Sequence, residues 1–393
     1  MKIRKILKRC TAAMLAAAIG MTTLAANVSA ATSGVSIGYT WNSSVNPTIK
    51  NRKNGVTGGV SGQYIKAGEQ ICRFSPSSTS DWAFCIEPAK SMQGASYKDW
   101  YTQNGFTKYD TFDLSDKNKA DSFAYWKSIG GTDGPMAKYL GLVQYYGYSS
   151  HKTGDYYAAT QCLIWELILG YRGHTQAGFG KCSDILWNDF TYPSGGWCTR
   201  SGVEKAYNDI VSNVKDHYKL PSAMRSTKAQ AKDEPNVMKY NAENLRYETK
   251  VTVPTSYVTA SSLAHNFSSL ESKLGSLIKS KFSGTFGKDY GLETEMSGTN
   301  TVYTIWSKER QFTSSGDSSI YVTESIPMQM KNSLKKQETL FANSYYQTCL
   351  FSTRLDPVVG YVGLASYNEP NLTVEKTYTD SSNNQITAAE LNN

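Results

Sequence analysis

Two side chains in this sequence carry chemistry that their settings make hard to ignore. One is the thiol of Cys85, in the strand-like run at residues 81–88 (DWAFCIEP). The other is the primary amide of Gln161, in residues 158–172 (AATQCLIWELILGYR). Gly170 stands where a helix stops, and the run before it has ordinary helical length. At 3.6 residues per turn, Gln161 shares a face with Tyr157, Ile164, Trp165 and Ile168. Glu166, the only charge in the run before Gly170, lies about 140° away round the helix. The amide therefore points to the apolar side, where leaving it unpaired costs about 1–3 kcal/mol. Taken alone, Gln161 reads as a seam residue bonded to a backbone carbonyl. Taken alone, Cys85 reads as a half-cystine or a core thiol, with Cys72 as the obvious mate.

The rest of the composition narrows the chemistry. The chain opens MKIRKILKRC, runs on through an Ala/Leu/Met-rich stretch and reaches Asn-Val-Ser-Ala at residues 27–30. This pattern is that of a secretory signal, with cleavage expected after Ala30. Five of the 41 Lys/Arg residues and none of the 33 acids lie within residues 1–30. The formal charge of +8 thus falls to +3 in the mature chain, and no basic run interleaves with aromatics. Nucleic acid binding is excluded on that ground, and no second long apolar stretch offers a membrane anchor. Six cysteines remain: Cys72, Cys85, Cys162, Cys182, Cys198 and Cys349. Their spacing is irregular with no CxxC pair, and the four histidines are scattered, so no metal site and no cofactor are expected. Cys182 and Cys198 flank a compact loop and form a candidate disulfide, while Cys162 reads as a small core hydrophobe.

Residues 31–80 are rich in Gly, Ser, Thr and Val with short alternating runs, which predicts strands and turns. Residues 139–147 (YLGLVQYYG) carry the best helical signal ahead of the Gln161 helix. A second helix is predicted from Ser201 to residue 218, opened by a capping box from Ser201 to Glu204. Val203, Ala206, Ile210, Val214 and Tyr218 step along its apolar face. Residues 225–236 are polar and read as a linker. Beyond Met238 the runs alternate and are parted by Ser/Gly/Asn turns, the pattern of a β-sandwich, with one helical interruption at 268–282.

The two chemical runs together resemble a known family, the Cys-Gln thioester domains (TQXA domains) of Gram-positive surface adhesins. The family pattern pairs an aromatic-Cys strand with a later Thr-Gln helix carrying apolar residues and Trp. Here these are Phe84-Cys85-Ile86 and Thr160-Gln161-Cys162-Leu163-Ile164-Trp165, with Leu163 where the family motif has alanine. The resemblance covers roughly residues 60–230. It implies a bond from the Cys85 sulfur to the side-chain carbonyl of Gln161, with loss of ammonia, in a pocket supported by Phe84, Thr160 and Trp165. A primary amide is a poor acyl donor, whereas a thiolate is both a strong nucleophile and a good leaving group. The thioester so formed stores an acyl group for an amine on a host or environmental ligand, and an apolar pocket keeps water from it. Such a site is spent in one event and is not an enzyme's.

The resemblance implies an α+β thioester domain over 31–233 with a β-sheet and a helical subdomain, then an all-β sandwich stalk module over 234–368. Residues 369–393 read as the start of a further module. It also implies a cell-wall-attached protein on a Gram-positive surface, attached through a region C-terminal to this chain. Stalk modules of this kind often carry an isopeptide bond, for which Lys250 and Lys376 are candidate donors. Two other readings stay open. One is a secreted cysteine hydrolase or acyltransferase with Cys85 as nucleophile and His151 or His174 as base. The other is a non-covalent binding module with ordinary disulfides.

Overall fold

The computed structural model describes residues 31–50, 52, 64–77, 81–88, 90, 98–109, 135–175, 178–259, 265–312, 326–331, 338–343, 345–352, 358–366, 378–379, 382 and 385–386. The expected leader lies outside them. The chain forms two units: residues 1–219 with 333–358, and residues 220–332 with 359–393. The boundary expected after residue 233 thus falls after Lys219, and a segment expected in the second domain belongs to the first.

In the first unit six strands build one sheet. They are β1 (Ala31–Trp41), β2 (Phe74–Pro76), β3 (Phe84–Cys85), β4 (Lys98–Tyr109), β5 (Glu338–Ala342) and β6 (Cys349–Ser352). Their order is β2-β1-β4-β5-β6-β3, and every pairing is antiparallel. An isolated bridge between Phe74 and Ala83 joins the two ends of that order. The strand that carries Cys85 is therefore short and stands last in the sheet, with β6 as its ladder partner.

Three helices cover this sheet's chemistry: α1 (Pro135–Gln144), α2 (Gly154–Ile168) and α3 (Arg200–Asp216). A π-helical turn, Tyr145–Ser149, follows α1. Helix α2 starts where the Thr153 side chain accepts from the Tyr156 N–H, and it stops at Gly170, whose φ of 74° suits glycine. Every residue of α2 from Tyr157 to Ile168 is buried, so it runs through the unit's core rather than along its surface. Glu166, expected on a polar face, is for that reason fully enclosed. Helix α3 is capped by Thr199, which accepts from the Gly202 N–H, and not by Ser201. Its buried face holds Val203, Ala206, Tyr207, Ile210 and Val214. The predicted face is right except at Tyr218, which lies beyond the helix.

The second unit is not all-β among its described residues. A five-stranded sheet runs in the order Tyr290–Ser297, Asn300–Ser307, Arg246–Pro254, Asn236–Asn241, Leu364–Ser366. Its last pairing is parallel. Helix α5 (Leu270–Lys281) turns Leu270, Leu274 and Ile278 inward, which makes the unit a sheet with a helix. The polar stretch read as a linker contains helix α4 (Lys228–Asp233), capped by Thr227 and buried at Ala231. No described helix is long and apolar enough to cross a membrane.

Candidate functional site

Helix α2 brings Tyr157, Gln161 and Trp165 to β3 from three successive turns, as the helical period requires. Tyr157 fixes the backbone around the cysteine. Its hydroxyl lies 2.7 Å from the Ala83 carbonyl and 3.1 Å from the Cys72 carbonyl, and it accepts from the Phe74 N–H at 3.2 Å. Its ring stacks on Phe84 at 4.6 Å. Trp82, Tyr148 and Trp197 meet the same ring edge-on, and the Arg73 guanidinium lies over both Trp82 and Trp197. This aromatic wall excludes water from the cysteine beside it.

Gln161 makes two hydrogen bonds, and both go to the backbone of Cys85. The Cys85 N–H donates to Gln161 Oε1 at 2.9 Å, and Gln161 Nε2 donates to the Cys85 carbonyl at 2.8 Å. The amide thus pairs with the open edge of β3 as another strand would, satisfying groups that an outermost strand leaves unmatched. The Cys85 sulfur branches from the Cα lying between those two bonded backbone groups. Both residues are wholly buried.

Burial pushes the Cys85 thiol well above its ordinary value, while the Glu87 backbone and the Trp165 side chain pull the other way by favouring the thiolate. The Trp165 Nε1 is buried without a hydrogen-bond partner. Such a donor costs about 1–3 kcal/mol unless something accepts from it. Glu69, also buried, adds its charge to both Cys72 and Cys85. Desolvation moves the Glu69 carboxyl up to about 7, with Lys66 opposing.

The other residues singled out from sequence have definite places. Phe84 is buried in the wall. Thr160 works one step away: its hydroxyl donates to the Tyr156 carbonyl at 2.6 Å and accepts from the Tyr148 N–H at 3.1 Å. A Cβ at Gly147 would collide with that hydroxyl, so the π-helical turn and α2 meet at a glycine. Glu87 accepts from the Thr348 N–H and hydroxyl at 3.1 and 2.9 Å, tying β6 to β3. Asp155 accepts from the Thr199 N–H at 2.8 Å at the start of α3. His151 is exposed and stacks on Tyr156 at 4.1 Å, and the side chain of His174 lies outside the described residues.

All six described cysteines are thiols, including the candidate pair Cys182 and Cys198. The cysteine facing Cys85 across the ladder is Cys349, not Cys72, whose sulfur lies 3.8 Å from Asn46 Nδ2. Sequence reasoning did not connect Cys349, Glu69 or Arg73 to the site, since none is near either motif in the chain. No group of His, Cys, Asp and Glu among the described residues could hold a metal ion. In the second unit, Lys250 is exposed and 4.0 Å from an exposed Glu295, a solvent-facing arrangement unlike a buried isopeptide donor's. Lys376 lies outside the described residues.

No protein-family model matches the chain. No curated protein matches it. Among solved structures, the chain is similar to the thioester domain of the Staphylococcus aureus TIE protein, at 13% identity and a TM-score of 0.37, over 86% of this chain and 99% of that one.

Proposed function

We propose that this chain is a covalent adhesin module, in which Cys85 and Gln161 form an internal thioester that an amine on a host or environmental surface attacks. The observation that carries the reading is the double hydrogen bond from the Gln161 amide to the Cys85 backbone. It supports the chemistry in two ways. It holds the acyl carbon against the residue that supplies the nucleophile. It also aims the Cys85 N–H at Oε1, the atom on which negative charge grows when sulfur attacks, which is how an oxyanion donor lowers a barrier.

The reaction then balances simply. The Cys85 sulfur adds to Cδ of Gln161, the C–N bond breaks, and the thiol proton leaves with the departing ammonia. Glu69, poised to exchange a proton near neutrality, is the buried carboxyl suited to relay it. In the second step a ligand amine adds to the same carbon, an amide forms, and Cys85 returns to the thiol. Trp165 Nε1 supplies a donor for the sulfur as it carries charge in either direction. Phe84, Tyr157 and the flanking indoles keep water off the acyl carbon between the two steps. The residues act once per molecule, so the module is a capture device rather than a turnover catalyst, and its place in this reading is the outside of a Gram-positive cell.

The test is the intact mass of the mature, non-reduced protein before and after methylamine. A deficit of one ammonia, replaced by a methylamine adduct on Gln161, is the expected result. A mass that matches the sequence and ignores methylamine would overturn the reading.

A further inference from the structure

The sulfur of Cys85 faces a second thiol across the sheet. Cys349 is its register partner, with Leu350 opposite Phe84 in the same ladder. The hydrogen bonds fix which kind of partner it is. The ladder bond beside the pair runs from the Ile86 N–H to the Thr348 carbonyl at 3.0 Å. The Cys85 N–H and carbonyl both turn away, to Gln161. Cys85 and Cys349 are therefore a non-hydrogen-bonded antiparallel pair, the closer of the two kinds, with Cα atoms typically about 4.5 Å apart. That separation lies inside the range of about 4.4–6.8 Å that a disulfide spans, and directly opposed side chains leave the same face of the sheet. Both residues are wholly buried, so no rearrangement to the surface is needed for them to meet. Burial holds the Cys349 thiol above its ordinary value, and the nearby Cys85 adds to that shift.

We propose that Cys349 is the alternative bonding partner of Cys85, so that oxidation joins the two as a disulfide and takes the sulfur out of thioester chemistry. The oxidant is a peroxide. One thiol reduces it, giving a sulfenic acid and water, and the second thiol displaces that hydroxyl as water to close the S–S bond. Two thiols together lose two electrons and two hydrogens. Since one sulfur forms one such bond, the thioester and the disulfide exclude each other. Oxidation before the thioester forms blocks it until a reductant restores the thiols. Oxidation after an amine has been captured removes the Cys85 thiol, which is placed to attack the new amide and reverse the capture. This regulatory consequence rests on the thioester reading, whereas the disulfide itself does not.

The experiment uses the mature full chain and two small reagents, methylamine and hydrogen peroxide, each followed by intact mass and non-reducing peptide mapping. Peroxide alone is expected to leave the Cys85 peptide unlinked, because its sulfur is already acylated. Methylamine followed by peroxide is expected to remove two further hydrogens and yield one linked peptide pair containing Cys85 and Cys349, separable by reductant. Cys349→Ala is expected to keep methylamine uptake and lose only the linked pair. The proposal is overturned if Cys85, once released, runs on to sulfinic acid or joins Cys72 with no Cys349 link. It is equally overturned if the link persists in wild type but Cys349→Ala forms an equal yield through another thiol. Should methylamine leave the mass untouched while peroxide still links Cys85 to Cys349, the thioester reading fails and the disulfide stands.

Discussion

Of the polar side chains that helix α2 buries, Gln161 and Glu166 lie five residues apart and are satisfied in opposite ways. Glu166 is saturated: Arg172 meets it at 2.9 Å, the Tyr207 hydroxyl at 2.8 Å and the Leu186 N–H at 3.0 Å. Burial still raises its pKa, with Arg172 as the largest opposing influence. Nothing in that network is left over for chemistry, and its partners sit on three separate segments that it pins to the helix. Gln161 is satisfied by one residue alone, and the indole one turn further along makes no full hydrogen bond, its N–H bearing only on the Cys85 sulfur. On the thioester reading, the contrast separates a buried group that holds the fold from one that is held for use. A complete ring of partners signals the first, and a partner that is itself a nucleophile signals the second.

Variants on either side of the comparison should fail differently. Cys85→Ala is expected to abolish methylamine uptake entirely while the protein stays folded, read by intact mass beside a thermal melt. Glu166→Ala is expected to do the reverse, costing about 3–5 kcal/mol in denaturant unfolding because it strands the buried Arg172 charge. Equal stability of the two variants would erase the distinction.

Glu69 sharpens it through pH. Its carboxyl is raised from 4.5 to about 7, so the folded state binds a proton more tightly than the unfolded chain. Stability from this group is therefore greatest below about 4.5, falls as pH climbs through about 7, and is flat above. Over that window the loss is at most about 3.5 kcal/mol, taking about 1.4 kcal/mol per pH unit. Glu69→Gln should remove that part of the slope in denaturation series, and a slope unchanged by the substitution would show that the carboxyl is not buried as described.

Smaller effects follow. Trp165→Phe removes the indole donor together with part of a fully buried ring, so it should slow thioester formation by about tenfold to a hundredfold and also lower stability by about 1–3 kcal/mol. A rate equal to wild type would leave that donor without a role in the chemistry. Thr199→Ala removes the cap of α3 and should lower stability by about 1 kcal/mol with no change in uptake.

The Gln161 helix was legible in the sequence because its signals are local: a glycine stop, an ordinary helical length and a periodic apolar face, whereas its cap at Thr153 was not read. The same period placed Gln161 toward Tyr157 and Trp165, where the structure has it. The reading of Gln161 as bonded to a backbone carbonyl also describes what is seen, the carbonyl being that of Cys85. What failed did so for non-local reasons. Glu166 breaks the apolar pattern of α2 yet is buried, because Arg172 and Tyr207 come to it from outside the helix. The cap of α3 moved to Thr199 because Asp155 fixes that residue's N–H from another element. β5 and β6 are short runs with no alternating pattern to mark them, and nothing in ETLFA or CLFS announces that these strands return to the first unit. A sandwich was expected in the second unit since alternation cannot report what lies against a sheet's other face.

The return of β6 has a consequence for the order in which the protein becomes itself. Glu87 and Thr348, which tie the two strands together, are 261 residues apart. The segment bearing Cys85 is therefore without its ladder neighbour until residues 349–352 have been made. Long-range pairings of this kind are slow to form, because loop closure must precede any reward from contact. On the thioester reading proposed above, the pair is then armed late, after the residues between β3 and β6 have been made.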